Sequence, residues 1–177
     1  MDESTPRELK LIMDYLSSEC YTGTLDALGY GKTPILSMRE KIKELCMSGK
    51  VEEMYKLLTT EHPGILDKYP HVVSLIFSQI FIEFIRNNQP EKALSFGRTS
   101  MHAGQDITKT QELFLLLAYK NPEECEKMKE FMSFERRERV FSAVDGIIKE
   151  KTAGRKASLL EYISKAIKYS SCMQKEE

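Results

Sequence analysis

The chain has 177 residues, 41% of them hydrophobic, enough for one core or two small lobes but not for several independent domains. A net charge of −1 and a pI near 6.4 give no global pull toward nucleic acid or anionic membrane. Cys20, Cys46, Cys125 and Cys172 form no CxxC pair and do not alternate with histidine, which argues against zinc, disulfide and redox chemistry together.

The polar start MDESTPRELK lacks the apolar run of a secretory signal, so the expected location is the cytosol and nucleus. In ELKLIMDYLSSECY, Leu9, Ile12, Met13 and Leu16 recur at helical spacing, and Leu25 and Leu28 share one face of a second short helix around Gly23 to Leu28. Two helices this short cannot bury themselves. Met38 to Met47 and Val51 to Leu58 read as a helical hairpin across Ser48-Gly49, where glycine suits the left-handed residue that ends a helix. The greasy run VVSLIFSQIFIEFI, Val72 to Ile85, falls short of the roughly 20 residues that span a bilayer and contains Gln79 and Glu83, so a buried core helix is expected.

The segments SGKVEEMYKLL, NNQPEKALSFG and YKNPEECEKMK each set a polar turn before Val or Pro and then acidic residues, the pattern of a helix start. Thr108 to Tyr119 follows the second of these. Phe134 to Lys151 carries Val140, Phe141, Val144, Ile147 and Ile148 as an apolar stripe. Arg155 to Cys172 sets Leu159, Leu160, Ile163, Ala166 and Ile167 on one face, which must pack on the rest of the chain or on a second chain. No stretch alternates as a strand. The expected fold is all-α, about ten helices in stacked helical hairpins.

Residues that could carry chemistry are few. In EHPGILDKYPHV, Glu61, His62, Asp67 and His71 are the types that general acid–base catalysis uses, but they stand among two prolines and a glycine and read equally as a turn before a helix. His102 lies in a separate helix. GYGKT, Gly29 to Thr33, ends like a phosphate-binding loop, yet Asp26 stands where that loop needs its first glycine and no apolar strand leads in. No G-x-S-x-G or H-E-x-x-H is present, so no catalytic residue, metal or cofactor is expected. From Ser133 to Lys168 there are nine Lys/Arg against five Asp/Glu. A nucleic-acid face would have to use Arg136, Arg137, Arg139, Arg155 and Lys156, but Glu135 and Glu138 dilute it, so neither nucleic acid nor membrane is expected as a partner. Ser158 in RKASLL follows two basic residues and is a candidate phosphosite.

The stretch LIMDYLSSECYTGTLDAL resembles a LisH motif, with Tyr15-Leu16, Tyr21, Leu25 and Leu28 as its apolar marks; Cys20 stands between its two helices, where glycine is usual. MREKIKELCMSGKVEEMYKLLTTEHPGIL resembles a CTLH motif through Arg39, Ile42, the turn from Gly49, Leu57-Leu58, His62-Pro63 and Ile65-Leu66. ELFLLLAYKNPEE and ERRERVFSAVDGIIKE are similar to a CRA domain. The order LisH (7–36), CTLH (37–94) and CRA (95–173) resembles the LisH–CTLH–CRA family, and the bare three-part form is most similar to the small scaffold subunit of the GID/CTLH (glucose-induced degradation) E3 ubiquitin ligase. The resemblance implies a non-catalytic scaffold without cofactors that links RING-type and substrate-receptor subunits, with a stand-alone helical dimerisation module as the alternative. It implies two helical interfaces. One is formed by the LisH helix pair with the returning last CRA helix, the other by the CTLH and earlier CRA helices. By position, Ile12, Tyr15, Leu16, Leu25 and Leu28 would form the first seam, supported by Leu159, Leu160, Ile163 and Ile167. The implied partners are other LisH–CTLH–CRA subunits, RING-type ones included, or a second copy of the chain.

Overall fold

A computed structural model describes residues 6–101, 107–119 and 121–173; His102 lies outside them. The described residues are all-α, without strands. In chain order the helices are α1 (Arg7–Ser18), α2 (Thr22–Ala27), α3 (Pro34–Met47), α4 (Val51–Glu61), α5 (Pro70–Arg86), α6 (Pro90–Ser100), α7 (Ile107–Leu115), α8 (Glu126–Lys129), α9 (Phe134–Ala153) and α10 (Leu159–Met173). Proline opens α3, α5 and α6, where its missing N–H costs nothing.

Four helices end in the same way. At Cys20, Gly29, Gly49 and Asn88 the backbone turns left-handed, with φ of 55, 77, 81 and 55°. Each time the next amide bonds five residues back: Tyr21 to Leu16, Tyr30 to Leu25, Lys50 to Leu45 and Gln89 to Phe84, at 2.8–2.9 Å. This is the Schellman closure, which satisfies helix-end carbonyls and reverses the chain.

The third expected helix start behaves differently. NPEE forms only a 3-10 turn, Pro122–Glu124, followed by the single-turn α8. Cys125 between them is extended, with ψ 118°, and packs against the neighbouring core, so tertiary packing overrides the local helix signal.

Contacts divide the chain into two units. One joins the residues up to Lys41 to those from Asp145 onward; the other runs from Ile42 to Val144, and α3 and α9 contribute to both. In the first unit α1 packs on α2 and α10 around a small core of Cys20, Leu25 and Leu36. In the second, α5 is central and packs on α4, α6 and α7. Its Phe81 and Ile82 meet Ala93, Leu113 and Leu116 in the main core, each large buried side chain contributing roughly 1.5–3 kcal/mol.

Each unit is also pinned by one arginine, buried in the first and half-buried in the second. Arg39 donates from Nε and Nη2 to the two carboxylate oxygens of Asp145 at 2.6 and 2.9 Å, and from Nη1 and Nη2 to the carbonyls of Ser17 and Ser18 that end α1. Burial alone would pull the Arg39 pKa down; the Asp145 pair outweighs it and holds it above the ordinary arginine value. In the other unit Arg137 grips Glu83 at 2.8 and 2.6 Å and donates to the carbonyl of Met47, the last residue of α3. Gln79 adds a third donor to Glu83 at 2.7 Å. The two polar residues of the greasy run are therefore interior ligands of one ion pair. Among the described residues, no helix is long and apolar enough to cross a membrane.

Candidate interaction surface

Helix α10 has no buried residue along its whole length. Leu159, Leu160, Tyr162 and Ile163 are exposed, and Ile167 and Tyr169 stand 61% and 70% open. An amphipathic helix that buried its apolar stripe would not look like this.

Its position is nevertheless fixed. Asp14, on α1, accepts the Leu159 amide at 2.8 Å and forms a two-pronged pair with the Arg155 guanidinium, one of its contacts being 3.1 Å. The Asp14 charge thus sits at the positive end of α10. Ser158 Oγ accepts the Glu161 amide at 3.2 Å and acts as the N-cap. Ser158 is only 1% exposed, so a kinase reaches this candidate phosphosite only when the start of α10 opens.

The residues expected at the LisH seam divide into two sets. Ile12, Tyr15 and Leu28 are exposed, with the Tyr15 and Tyr21 rings 6.2 Å apart. Leu25 is 3% exposed and belongs to the unit's own core, against which the half-buried Leu16 packs. The four expected residues of α10 are all on the surface. The structure therefore brings Ile12 and Tyr15 on α1 and the α10 stripe into one unit, on two helices packed together, with their apolar side chains open to solvent. Tyr162, Tyr169 and Met173 enlarge the exposed set beyond what the stripe alone suggested. Large apolar side chains left open on two packed helices make this face the candidate interaction surface of the unit.

The other candidates do not assemble chemistry. Lys32 of GYGKT is occupied by Glu40 at 3.1 Å and Asp26 at 3.5 Å. In EHPGILDKYPHV, Ile65 and Leu66 are buried while Glu61, Asp67 and His71 are exposed in and beside a turn, and among the described residues no hydrogen bond joins either histidine to an acid. Of the five basic residues, Arg137, Arg139, Arg155 and Lys156 are paired with Glu83, Glu130, Asp14 and Glu150. Only Arg136 is not, and it lies in a groove of the second unit.

The sequence profile of the CTLH/CRA C-terminal to LisH motif domain matches residues 35–172. The chain belongs to the CTLH/CRA family. It is 27% identical over 170 residues to the Glucose-induced degradation protein 8 homolog of Nematostella vectensis, a match that covers 87% of this chain and 75% of that protein. To the Ran-binding protein M homolog of Arabidopsis thaliana it is 30% identical over 118 residues, 64% of this chain but 25% of that larger protein. The matched residues take in all of the second unit and, of the first, only the start of α3 and the part from Asp145 into α10; α1 and α2 precede them. Asp14 was not picked out from the sequence, and Arg39 and Arg155 stood there only as a CTLH mark and part of a basic face, because their partners lie 106 and 141 positions away.

Proposed function

We propose that this CTLH/CRA chain is a non-catalytic scaffold subunit of a GID/CTLH-type ubiquitin ligase, joining RING-type and substrate-receptor subunits. The observation that carries the reading is α10, a fifteen-residue helix with no buried side chain, held on α1 by Asp14 and presenting Leu159, Leu160, Ile163 and Ile167. Burying such side chains against a second LisH-type helix set would release roughly 25 cal/mol for each Å² of apolar surface. The similarity to the Glucose-induced degradation protein 8 homolog over most of both chains supports assignment to a degradation complex. The partner of the α1/α10 face is another LisH–CTLH–CRA subunit, and a homodimer uses the same face when that subunit is absent. The reading divides the chain into LisH (7–36), CTLH (37–94) and CRA (95–173), with work in the cytosol and nucleus.

Affinity purification of the tagged chain from its source cells, followed by mass spectrometry, tests this. Recovery of a RING-type subunit in near-equal amount is the expected result. A chain recovered alone, or with partners unrelated to ubiquitin transfer, contradicts it.

A further inference from the structure

The second unit holds an open groove of ≈ 1070 Å³ whose walls include Tyr55, Leu66, Phe77, Leu113 and Phe131, with Arg136 among them. Arg136 is the anomaly of this wall. Its guanidinium lies 5.4 Å from the Phe131 ring centre, Nη2 donates to Ser78 Oγ at 2.8 Å, and the buried Nε has no acceptor. Among the described residues no carboxylate pairs with it, although its neighbours Arg137 and Arg139 have Glu83 and Glu130. Burial, with a smaller contribution from Arg139, pulls the Arg136 pKa down to about 10, and the charge of Glu130 offsets only part of this. A guanidinium that has lost water and gained no contact ion pair is costly to hold.

The groove offers two things at once, a cation in want of an anion and aromatic and aliphatic walls in want of cover. A small free anion would answer only the first. A nucleic acid would bring a row of phosphates to a single available cation, with Asp67 on the same groove wall opposing them. A polypeptide with an acidic side chain beside a large apolar one answers both, since charge-assisted bonds to arginine and buried apolar anchors are what peptide grooves use.

We propose that this groove docks an extended segment of a partner protein in which an Asp or Glu stands next to a large apolar residue, with Arg136 taking the carboxylate. The proposal rests on the scaffold reading and deepens it: it names the chemistry that one groove of the CTLH and earlier CRA helices would take.

Panning a random dodecamer display library against the whole chain tests it. The selected peptides should share one acidic position flanked by Leu, Phe, Tyr or Trp. A synthetic peptide of that sequence should bind at least about ten-fold tighter than its amide counterpart, Gln for Glu or Asn for Asp. Arg136→Gln, verified as folded by circular dichroism, should abolish that difference; Arg136→Lys, which keeps the charge without the planar fork, should fall between. Absence of enrichment, peptides without an acidic position, equal binding by Arg136→Gln, or stronger binding of labelled oligouridylate overturns the proposal. Ile163→Asp, in the other unit, should select the same peptides, so failure here and failure of the α1/α10 interface are separate results.

Discussion

Arg39 and Asp145 stand 106 positions apart in sequence and meet in a two-pronged pair, Nε to Oδ1 at 2.6 Å, with both side chains less than a tenth exposed. The pair ties the chain's first helices to its last segment, and the same guanidinium caps α1 through Ser17 and Ser18. Removing one partner strands the other. Arg39→Met should lower unfolding free energy by about 3–5 kcal/mol, toward the lower figure because Lys149 still reaches Asp145. The double variant Arg39→Met with Asp145→Leu should recover most of that loss. Urea unfolding followed by circular dichroism measures both, and a double variant as weak as the single one would show that the pair is not what stabilises this unit.

Gly49 tests the matching arrangement in the other unit. Its φ of +81° is left-handed, and a Cβ there would fall 2.8 Å from Glu83 Oε2. Gly49→Ala should therefore cost more than the roughly 1–2 kcal/mol of the backbone conformation alone, because the Glu83–Arg137 pair must also shift. A thermal melt of Gly49→Ala that matches the parent would contradict this.

Cys20 adopts the same left-handed conformation with a side chain attached, and that side chain is buried in the core with Leu25 and Leu36. Cys20→Gly should relieve roughly 1 kcal/mol of backbone cost and forfeit a comparable amount of apolar burial. The expected net change is within about 1 kcal/mol of zero by denaturant unfolding; a loss several times larger would mean the backbone there is not strained.

Burial pushes the Cys46 thiol up to about 12 from its ordinary value near 9, with Glu83 adding to the shift. Between those values the unfolded chain has lost a proton that the folded chain keeps, so the thiol's contribution to stability is whole below pH 9 and falls as pH rises toward 12. Replacing Cys46 by Ala should make the decline of stability above pH 9 shallower. In native alkylation at pH 8, Cys172, which is exposed, should react well before Cys46. Mass spectrometry of partly alkylated chain reads the order directly.

The α10 stripe was legible in sequence because Leu159, Leu160, Ile163 and Ile167 repeat at helical spacing. What the spacing could not say is whether the stripe faces inward. That depends on Asp14 and Arg155, 141 positions apart, which fix where α10 begins on α1. The same limit explains Leu25, which shares a sequence face with Leu28 yet enters the core while Leu28 stays on the surface. Helix starts were readable where proline and acidic residues acted alone, at Pro90, and misleading at NPEE, where packing of Cys125 decided the backbone. The kinase pattern at Ser158 gave no hint that Ser158 also caps α10 and that Arg155 of the same pattern anchors it.

Asp14→Ala removes the anchor of α10 without touching its apolar face. Loss of the capping contact and of the Arg155 pair should destabilise α10 locally by about 1–3 kcal/mol. Hydrogen exchange should show faster exchange in α10 and little change in α5. Uniform acceleration through both helices would mean that the two units unfold as one.

The α1/α10 face is proposed as an interface between subunits. Light scattering after size exclusion tests it most directly, with the chain co-expressed with the RING-type subunit proposed as its partner, with and without Ile163→Asp and Ile167→Asp. Both isoleucines are already exposed, so the monomer should keep its helicity while a charge placed in the buried seam finds no partner. The parent should run as a complex and the double variant as a separate 20.4 kDa chain. A double variant that elutes at the full mass of the parent complex would contradict it.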